Sequence, residues 1–475
     1  MIDLAPEYLN IVRNILRQYV PDAQVWAFGS RVTWTAKEFS DLDLVIIHDE
    51  LIPADNMVQI AEDLSESNLP IKIDILEWRS ISEEFRKEIT KQHYSIYKYR
   101  LGEIGNIVTG KTPITRFSHY FGKDIPFITP RDMDDTRYIT ETDRSLSIDG
   151  ARSVKSAMIP KNSIVVSCIG SDMGKIAIAR EKSVTNQQIN SLIVNDENDF
   201  LYVYYSLCTK RHELRSIASG SALPILNKSD FEKIEIDLPS LETQKETAHI
   251  LGTLDDKIEL NRRMNNTLEE IAQALFKHWF IDFEFPNEEG KPYKSSGGEM
   301  INSELGPIPK DWRVGKIGDL CTLEYGQSLK KEDRIRGSTP VMGSNGQIGW
   351  HNEAIVRGPG IVIGRKGNPG IVTWIQSDFY PIDTTFYAIP RDRHEQLGLL
   401  YYVLKYGSLH KLDSDSAVPG LNREAALSMT CIIPSLNIAA IFEKTNAMIA
   451  DSKFKNDSEN ANINKIKSIL LKELI

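Results

Sequence analysis

The chain has 475 residues, a formal net charge of −10 and 41% hydrophobic residues. This length predicts about three domains, and the hydrophobic content excludes a largely disordered chain. The four cysteines are scattered, without a C-x-x-C pair or a Cys/His cluster. The sequence therefore predicts neither a disulfide framework nor a zinc site. No apolar run approaches the roughly 18 residues of a membrane span, and the amphipathic N-terminus differs from a signal peptide, so we expect a cytoplasmic protein.

The first predicted elements are an amphipathic helix and a strand, QVWAF, that ends at Gly29 and Ser30. Asp41 and Asp43 lie just before the apolar run LVII. The two-residue period of a strand places both side chains on one face. Asp74 lies in a further apolar strand, IKIDIL. Converging carboxylates repel each other unless cations neutralise them, and Mg²⁺ prefers carboxylate oxygens together with substrate phosphates. The pattern therefore predicts a site for Mg²⁺ and a nucleoside triphosphate, with the Gly-Ser turn donating to the phosphates.

Residues 8–98 resemble the minimal nucleotidyltransferases, which are small antitoxin-like relatives of polymerase-beta-type enzymes. The matching residues are Gly29, Ser30 and Arg31 in the turn, then Ser40, and the acids Asp41, Asp43 and Asp74. The resemblance implies that the three acids hold the metal and carry catalysis, that residues 29–31 bind the nucleotide, and that the product is a nucleotidylated target, often a protein tyrosine. Trp34 departs from the family, which often has a small residue there. The alternative is that D-x-D is only a polar strand edge; the upstream turn and the third acid favour the site.

The rest of the chain contains two copies of one plan. LGEIGNIVT (101–109) aligns with VGKIGDLCT (314–322) at an offset of 213. ALPILNKSDFEKIEIDLPSL (222–241) aligns with AVPGLNREAALSMTCIIPSL (417–436) at an offset of 195, which pairs Pro224 with Pro419 and Asn227 with Asn422. Because this period is far too long for a solenoid, the alignment predicts a duplicated domain.

Each copy ends in a predicted long helix whose seam residues alternate at spacings of three and four. Asn261 and Asn265 lie in the middle of the first seam, and Asn456 and Asn460 recur at the equivalent positions. A buried Asn is costly unless a polar group meets it, so paired asparagines fix the register of two helices. We expect an antiparallel coiled coil about 60 Å long, which would hold two similar domains in a geometry that suits two DNA half-sites. The alternative is two amphipathic helices that lie on their own domains.

Residues 99–475 resemble the specificity subunit of type I restriction–modification systems. The segments that carry the resemblance include LGEIGNIVTGKTP, FITPRDM, IVIGRKGNPG, LDDKIELNRRMNNTLEEIAQALFKHWFIDFEFP and GKPYKSSGGEMINSELGPIPKDW. The resemblance implies two target-recognition domains that each read half of a bipartite site in double-stranded DNA. It also implies helices that dock two methyltransferase subunits, a separate restriction and motor subunit, and no chemistry in the specificity subunit itself. In agreement, GNPG (367–370) lacks the aromatic residue of a methyltransferase loop.

The predicted fold class is α/β (α+β), with a small nucleotidyltransferase domain before two similar α/β target-recognition domains joined by a long antiparallel two-helix coiled coil. The predicted boundaries are 1–98 for the nucleotidyltransferase-like domain, 99–240 and 311–434 for the recognition domains, 241–285 and 435–475 for the helices, and 286–310 for the linker. Arg and Lys in polar turns are the candidates for DNA contact, although such residues are more often solvated surface charges. These candidates are Lys111, Arg116, Arg131, Lys330, Lys331, Arg334, Arg365 and Lys366.

The stretch GNIVTGKT (105–112) matches the phosphate-binding P-loop pattern letter for letter. The segment before it is charged, the segment after it lacks a helical period, and the aligned second copy has no equivalent Lys or Thr. We therefore interpret 105–112 as the opening turn of the first recognition domain, with Lys111 as a candidate contact to the DNA backbone.

The leading interpretation is a DNA specificity subunit with a fused domain that uses Mg²⁺ and a nucleoside triphosphate, if that domain is active. The alternative is a nucleotidyltransferase, acting on protein or RNA, that a DNA-binding module positions or regulates. A third hypothesis is that the acidic first 98 residues, with 17 Asp and Glu against 10 Lys and Arg, cover the DNA-binding face until a signal moves them.

Overall fold

The structure is a computed structural model, and it describes residues 2–48, 50–134, 136–217, 225–391, 396–412 and 420–475. The chain forms two compact units, Met1–Glu259 with Ile463–Ile475, and Leu260–Asn462. The paired prolines Pro224 and Pro419 lie outside the described residues. None of the helices in the described ranges combines the length and apolar character that crossing a membrane requires.

The first unit begins with a four-stranded sheet in the order β3-β2-β1-β4. Its elements are α1 (Pro6–Tyr19), β1 (Gln24–Phe28), α2 (Ser30–Thr33), β2 (Leu42–Ile47), α3 (Ala54–Glu66), β3 (Ile73–Glu77), α4 (Glu83–Lys91) and β4 (Tyr94–Ser95). β2 runs antiparallel to β1 and parallel to β3. Leu42 and Leu44 are fully buried in the core, so the strand period leaves Asp43 on the opposite face.

The first copy of the duplicated plan follows in the same unit, as far as Glu259 in its last helix. Its elements are β5 (Lys98–Arg100), α5 (Leu101–Ile104), β6 (Gly105–Thr109), β7 (Phe121–Gly122), β8 (Ile125–Ile128), β9 (Tyr138–Ile139), β10 (Ser145–Leu146), α6 (Ile148–Ser153), β11 (Met158–Ile159), β12 (Ile164–Ser167), β13 (Ile176–Ala179), β14 (Ser183–Thr185), β15 (Ile189–Val194), α7 (Phe200–Thr209), α8 (Arg211–Ile217), α9 (Lys228–Glu232), β16 (Glu235–Asp237) and α10 (Leu241–Phe276). Two five-stranded sheets have the orders β6-β15-β12-β13-β9 and β11-β14-β8-β10-β7, and β5 pairs with β16. β12 and β13 are buried along their whole length, which explains their continuous apolar sequence.

The second copy belongs to the second unit, except for Ile463–Ile475 at the end of its last helix. A π-helical segment, Lys277–Ile281, continues α10. The elements that follow are β17 (Met300–Ser303), β18 (Gly306–Pro309), β19 (Arg313–Lys316), α11 (Ile317–Leu320), β20 (Cys321–Tyr325), β21 (Thr339–Gly343), β22 (Gly346–His351), β23 (Gly360–Gly364), β24 (Val372–Ile375), β25 (Tyr380–Pro381), β26 (Thr385–Pro390), α12 (Leu397–Tyr406), α13 (Arg423–Ser428), β27 (Thr430–Ile433) and α14 (Leu436–Leu474). Its sheets have the orders β20-β26-β23-β24 and β22-β21-β25, with β19 on β27 and the β17–β18 hairpin inside the predicted linker.

The structure corrects the alignment at the start of the two copies. Glu103 accepts from the backbone N–H of Arg100 at the start of α5, at 2.7 Å, and Asp319 accepts from that of Lys316 at the start of α11, at 2.9 Å. These equivalent caps give an offset of 216, so the value of 213 was wrong. The error arose because glycines recur every third residue in both segments, so the letters match in either register. The offset of 195 at the end is correct, because Asn227 caps α9 and Asn422 caps α13.

GNIVTGKT is not an opening turn, and it is not a P-loop. Its first five residues are β6, which pairs antiparallel with β15. Lys111 donates its backbone N–H to the carbonyl of Thr185, 2.7 Å away, instead of starting a helix. A Cβ on Gly110 would overlap the carbonyl oxygen of Asn186, so glycine is required here by close backbone packing.

Candidate functional sites

The predicted acidic site lies where β2 and β3 run side by side. Asp43 and Asp74 are direct partners in the parallel register, and Asp41 lies one residue before β2. Burial, followed by the charges of Asp74 and Asp41, raises the pKa of Asp43 above its ordinary value. The ammonium of Lys72 lies 2.5 Å from Oδ1 of Asp74 and neutralises part of this negative charge. The site therefore concentrates carboxylates that favour a nearby cation.

Gly29, in the Gly-Ser turn, packs directly against the carboxylate of Asp43. Its backbone has φ 77° and ψ −154° and caps the one-turn helix α2, which begins at Ser30. A Cβ at this position would overlap Oδ2 of Asp43. Both the positive φ and the close carboxylate demand glycine, so the Gly-Ser turn and Asp43 form one compact arrangement. Trp34 ends α2 in the left-handed conformation, with φ 58°, and its side chain is 60% exposed.

Arg31 has a different environment from the other predicted nucleotide-binding residues. Its side chain is buried, and its guanidinium donates to the backbone carbonyls of Asp3, Glu38 and Ser40 at 2.6, 3.2 and 2.8 Å. Arg31 therefore holds the 34–40 loop against the N-terminal segment. Contact between Arg31 and a nucleotide stays a prediction.

The acidic site offers carboxylate oxygens, the ligand type that Mg²⁺ prefers. Among the described residues, no three His, Cys, Asp or Glu side chains stand close enough together to enclose a metal ion. The donor chemistry nevertheless fits Mg²⁺, since Asp43 and Asp74 share a register, burial followed by like charge raises the pKa of Asp43, and Lys72 supplies a compensating cation. Asp41, Asp43 and Asp74 would have to turn toward one another to share one ion.

The seam between α10 and α14 contains the predicted asparagines. In the second unit, Asn261 Nδ2 donates to Asn460 Oδ1 at 2.9 Å and to Glu459 Oε2 at 2.8 Å. Asn456 Nδ2 donates to Asn265 Oδ1 at 2.9 Å. Because residue numbers rise along one helix as they fall along the other, the helices are antiparallel, as the predicted fold class requires.

Ion pairs accompany the amide contacts along the seam. Within the second unit, Glu269 accepts from Lys405 at 2.9 Å and Lys453 at 2.6 Å. Burial opposes ionisation, but hydrogen bonds from the two lysines and Gln273 lower the pKa of Glu269 to about 2. Within the first unit, Lys467 donates to Oδ1 of Asp255 at 2.5 Å, and the hydroxyl of Tyr205 donates to Oδ2 of the same residue at 2.8 Å.

The eight predicted DNA-contact residues lie in several separate loops. Six are exposed, namely Lys111, Arg116, Arg131, Lys330, Lys331 and Lys366. Arg334 is half-buried and donates to the carbonyl of Ile348 at 2.9 Å. Arg365 is half-buried and donates to the carbonyl of Asp383 at 2.9 Å. The structure therefore separates six exposed candidates from two that the backbone holds in place.

Sequence reasoning missed three basic residues. Arg423 lies next to Tyr325 in the second copy, and its position directly after the helix cap Asn422 was the available signal. Arg13 and Arg17 project from α1 onto the junction between the first two domains. The spacing of i and i+4 on a predicted helix places both on one face, but the sequence does not say what that face meets.

Comparison with known proteins gives the class of this chain. Residues 96–270 and 309–468 match the family described as "Type I restriction modification DNA specificity domain". Residues 10–100 match the family described as "Polymerase beta, Nucleotidyltransferase". The chain therefore belongs to the type I restriction–modification specificity family and carries a nucleotidyltransferase domain at its N-terminal end.

Individual relatives resemble separate parts of the chain. The MjaIX specificity subunit of Methanocaldococcus jannaschii is 34% identical over 240 residues, which are 49% of this chain and 53% of that protein. The HindI specificity subunit of Haemophilus influenzae is 40% identical over 183 residues, 37% of this chain and 39% of that protein. The chain thus spans about half or less of these two relatives. The probable protein adenylyltransferase MntA of Haemophilus influenzae is 47% identical over 95 residues, 20% of this chain and 83% of that protein.

Proposed function

We propose that the chain is the DNA specificity subunit of a type I restriction–modification system. The observation that carries this proposal is the duplication: two copies with matching caps, Asn227 and Asn422, each run into a helix of one antiparallel pair. Each copy would read one half of a bipartite site in double-stranded DNA. The family resemblance supports two methyltransferase subunits and one type of restriction subunit as partners that dock on this scaffold.

The chemistry of the two copies supports different roles for the basic residues. Exposed lysines such as Lys111 and Lys366 suit phosphate contacts, which give affinity and register without sequence preference. Arginines held by the backbone, such as Arg334 and Arg365, suit base-edge contacts, because a fixed guanidinium fork loses less freedom on binding.

The test is methylation of a random-sequence duplex library by the chain purified with its methyltransferase subunits. Sequencing of the methylated molecules should return one motif with two specific halves and a spacer of fixed length. Methylation of the library without any sequence preference would contradict the proposed function. Methyltransferase subunits without the chain are the control, and we expect no motif from them.

We further propose that the N-terminal domain transfers a nucleotide to a macromolecular target, a proposal that the MntA relative and the acidic site favour. Asp41, Asp43 and Asp74 would hold Mg²⁺, which would neutralise phosphate charge and polarise the transferred phosphorus. Gly29 leaves room for the Asp43 carboxylate beside the turn, and Ser30 offers a hydroxyl donor at the start of α2. Lys72 would release Asp74 when the metal enters.

Incubation with labelled ATP, Mg²⁺ and the partner subunits tests this second proposal. We expect label on a protein or RNA target, abolished by Asp41→Ala combined with Asp43→Ala. Asp55→Ala is the matched control, since Asp55 is an exposed acid of α3 away from the strand pair, and it should leave transfer intact. Absence of label with every partner and nucleotide would contradict the proposal.

A further inference from the structure

One structurally equivalent position differs sharply in chemistry between the two copies. In the first copy, the last residue of β6, Thr109, pairs with Asn190 of β15. In the second copy, the last residue of β20, Tyr325, pairs with Phe386 of β26. The offset of 216 relates Thr109 to Tyr325, so the two pairs occupy the same corner of each domain.

In the second copy this corner holds two guanidinium groups against one exposed aromatic ring. Cζ of Arg365 lies 5.1 Å from the ring centre of Tyr325, and Cζ of Arg423 lies 5.6 Å from it. The ring of Tyr325 is 4.9 Å from that of Phe386, yet Tyr325 remains 48% exposed. The aromatic platform therefore orders both arginines at a surface open to a ligand.

Within the described residues, neither guanidinium is paired with a buried carboxylate. Arg365 donates to the carbonyl of Asp383, and its Nε is buried without a hydrogen-bond partner in the described structure. Arg423 lies 3.4 Å from Oε1 of Glu424, whose side chain is 76% exposed, so water screens that pair. Lys366 is an exposed neighbour of Arg365 and adds a third positive charge.

The first copy has a cysteine and an ion-paired lysine at the positions equivalent to these arginines. Cys168 matches Arg365, because each accepts a backbone hydrogen bond from an equivalent leucine, Leu226 or Leu421. Cys168 is buried and accepts from Nδ2 of Asn190 at 3.4 Å. Lys228 matches Arg423 at the offset of 195 and pairs with Glu232 at 3.6 Å. Neither of these two equivalent positions in the first copy therefore carries a guanidinium.

We propose that Tyr325, Arg365 and Arg423 form a guanine-reading site for one half of the DNA target, a role that rests on the proposed specificity function. An arginine fork recognises O6 and N7 of guanine through two parallel hydrogen bonds, and a ring that fixes the guanidinium plane prepares it for that contact. The first copy has no guanidinium at the two equivalent positions, so it has no arginine fork for this contact. The corner of the second copy therefore requires a guanine in the half-site that this copy reads. The equivalent corner of the first copy imposes no such requirement on the other half-site.

The test uses the duplex-library methylation assay on the complex with Arg423→Gln, Arg423→Lys and the matched first-copy variant Lys228→Gln. We expect Arg423→Gln to weaken the preference for guanine at one position of one half-site by roughly 10- to 100-fold. Arg423→Lys should relax the same position, since it keeps the charge and loses the two-pronged contact. Lys228→Gln should leave the half-site of the second copy unchanged.

Two results would overturn the proposal. One is an unchanged motif in both halves with Arg423→Gln or Arg423→Lys. The other is a uniform loss of methylation with Arg423→Gln that Arg423→Lys restores without any change of motif, which would identify a phosphate contact. If the unmodified complex itself gives no bipartite motif, the proposed specificity function fails instead, so the two failures are distinguishable.

Discussion

At the residue scale, Gly29 and Asp43 depend on each other. The carboxylate of Asp43 occupies the space that a Cβ at position 29 would need, and the backbone there has φ 77°. The sequence predicted that a Gly-Ser turn and the D-x-D strand share a site, but it did not reveal that the two touch. This contact makes the turn a direct structural support of the acid.

The first prediction concerns Gly29→Ala. The substitution should destabilise the N-terminal domain by about 1–3 kcal/mol through the left-handed backbone, with an added cost from displacing Asp43, and it should abolish labelled transfer. Gly290→Ala is the matched control, because Gly290 has a similar φ of 76° with open space around its Cβ. Hydrogen exchange of the β1 and β2 amides measures the loss of stability. Equal protection of these amides in Gly29→Ala and in the unmodified chain would contradict the predicted destabilisation.

The two-residue period of a strand predicted that Asp41 and Asp43 share one face. The pairing of Asp43 with Asp74 depends instead on the parallel register of β2 and β3, which the period does not give. The environment of Arg31 could not be predicted in the same way. Its partners are backbone carbonyls at positions 3, 38 and 40, and these depend on how the loop folds back. The Tyr325 corner escaped prediction for a similar reason, since Arg365 and Arg423 meet only through tertiary packing.

At the element scale, the two long helices were the most predictable part of the chain. The recurrence of Asn261 and Asn265 at Asn456 and Asn460 predicted an antiparallel register, and these side chains do bond to each other. The start of each copy was less predictable, because glycines spaced by three residues allowed a shifted alignment. The equivalent carboxylate caps of α5 and α11, Glu103 and Asp319, distinguish the two registers.

The second prediction concerns Asn261→Leu in this seam. This substitution removes the hydrogen bonds that the buried Asn261 amide donates to Glu459 and Asn460. The loss should destabilise the helix pair by about 1–3 kcal/mol. Adding Asn460→Leu should recover part of that loss, because both seam positions then become apolar. Urea unfolding of the two single variants and the double variant measures the coupling, and strictly additive losses would count against a direct pair.

The third prediction is a pH dependence from Glu269. Its pKa is lowered from the ordinary 4.5 to about 2 in the folded chain, so the unfolded chain binds a proton first as the pH falls. The stability that this carboxylate contributes is complete above about pH 4.5 and is lost as the pH falls toward 2. Hydrogen exchange of the α10 amides as a function of pH measures this stability. Glu269→Gln should remove the part of its pH dependence that lies between about pH 4.5 and 2. Glu270→Gln, at an exposed neighbour, should keep it, and identical profiles for both variants would contradict the assignment.

On the scale of the whole molecule, the nucleotidyltransferase domain is fixed to the first recognition domain. Ile96 bonds to Val25 in the first sheet, Tyr97 accepts from Leu238, and β5 then pairs with β16. The predicted boundary after residue 98 therefore falls inside a strand of the recognition domain. Only the two residues between β4 and β5 connect the domains at this junction. So short a connection argues against a nucleotidyltransferase domain that moves away from the DNA-binding face.

The fourth prediction concerns Arg13, which is 2% exposed and donates to the carbonyls of Ile96 and Lys98 across this junction. Arg13→Met should leave both carbonyls unsatisfied and loosen the junction by about 2–4 kcal/mol. Arg17→Met is the comparison, since Arg17 is half-buried and should cost less. Limited proteolysis at residues 96–100 measures the loosening, and unchanged cleavage in Arg13→Met would contradict this role.

The central claim is that two copies on one scaffold specify two different halves of a DNA site. Genome-wide mapping of methylated adenines in a host carrying the complete system tests it most directly. The account predicts one bipartite motif with dissimilar halves and a constant spacer, which Asp41→Ala with Asp43→Ala leaves unchanged. A continuous motif, or methylation without any motif, would contradict it.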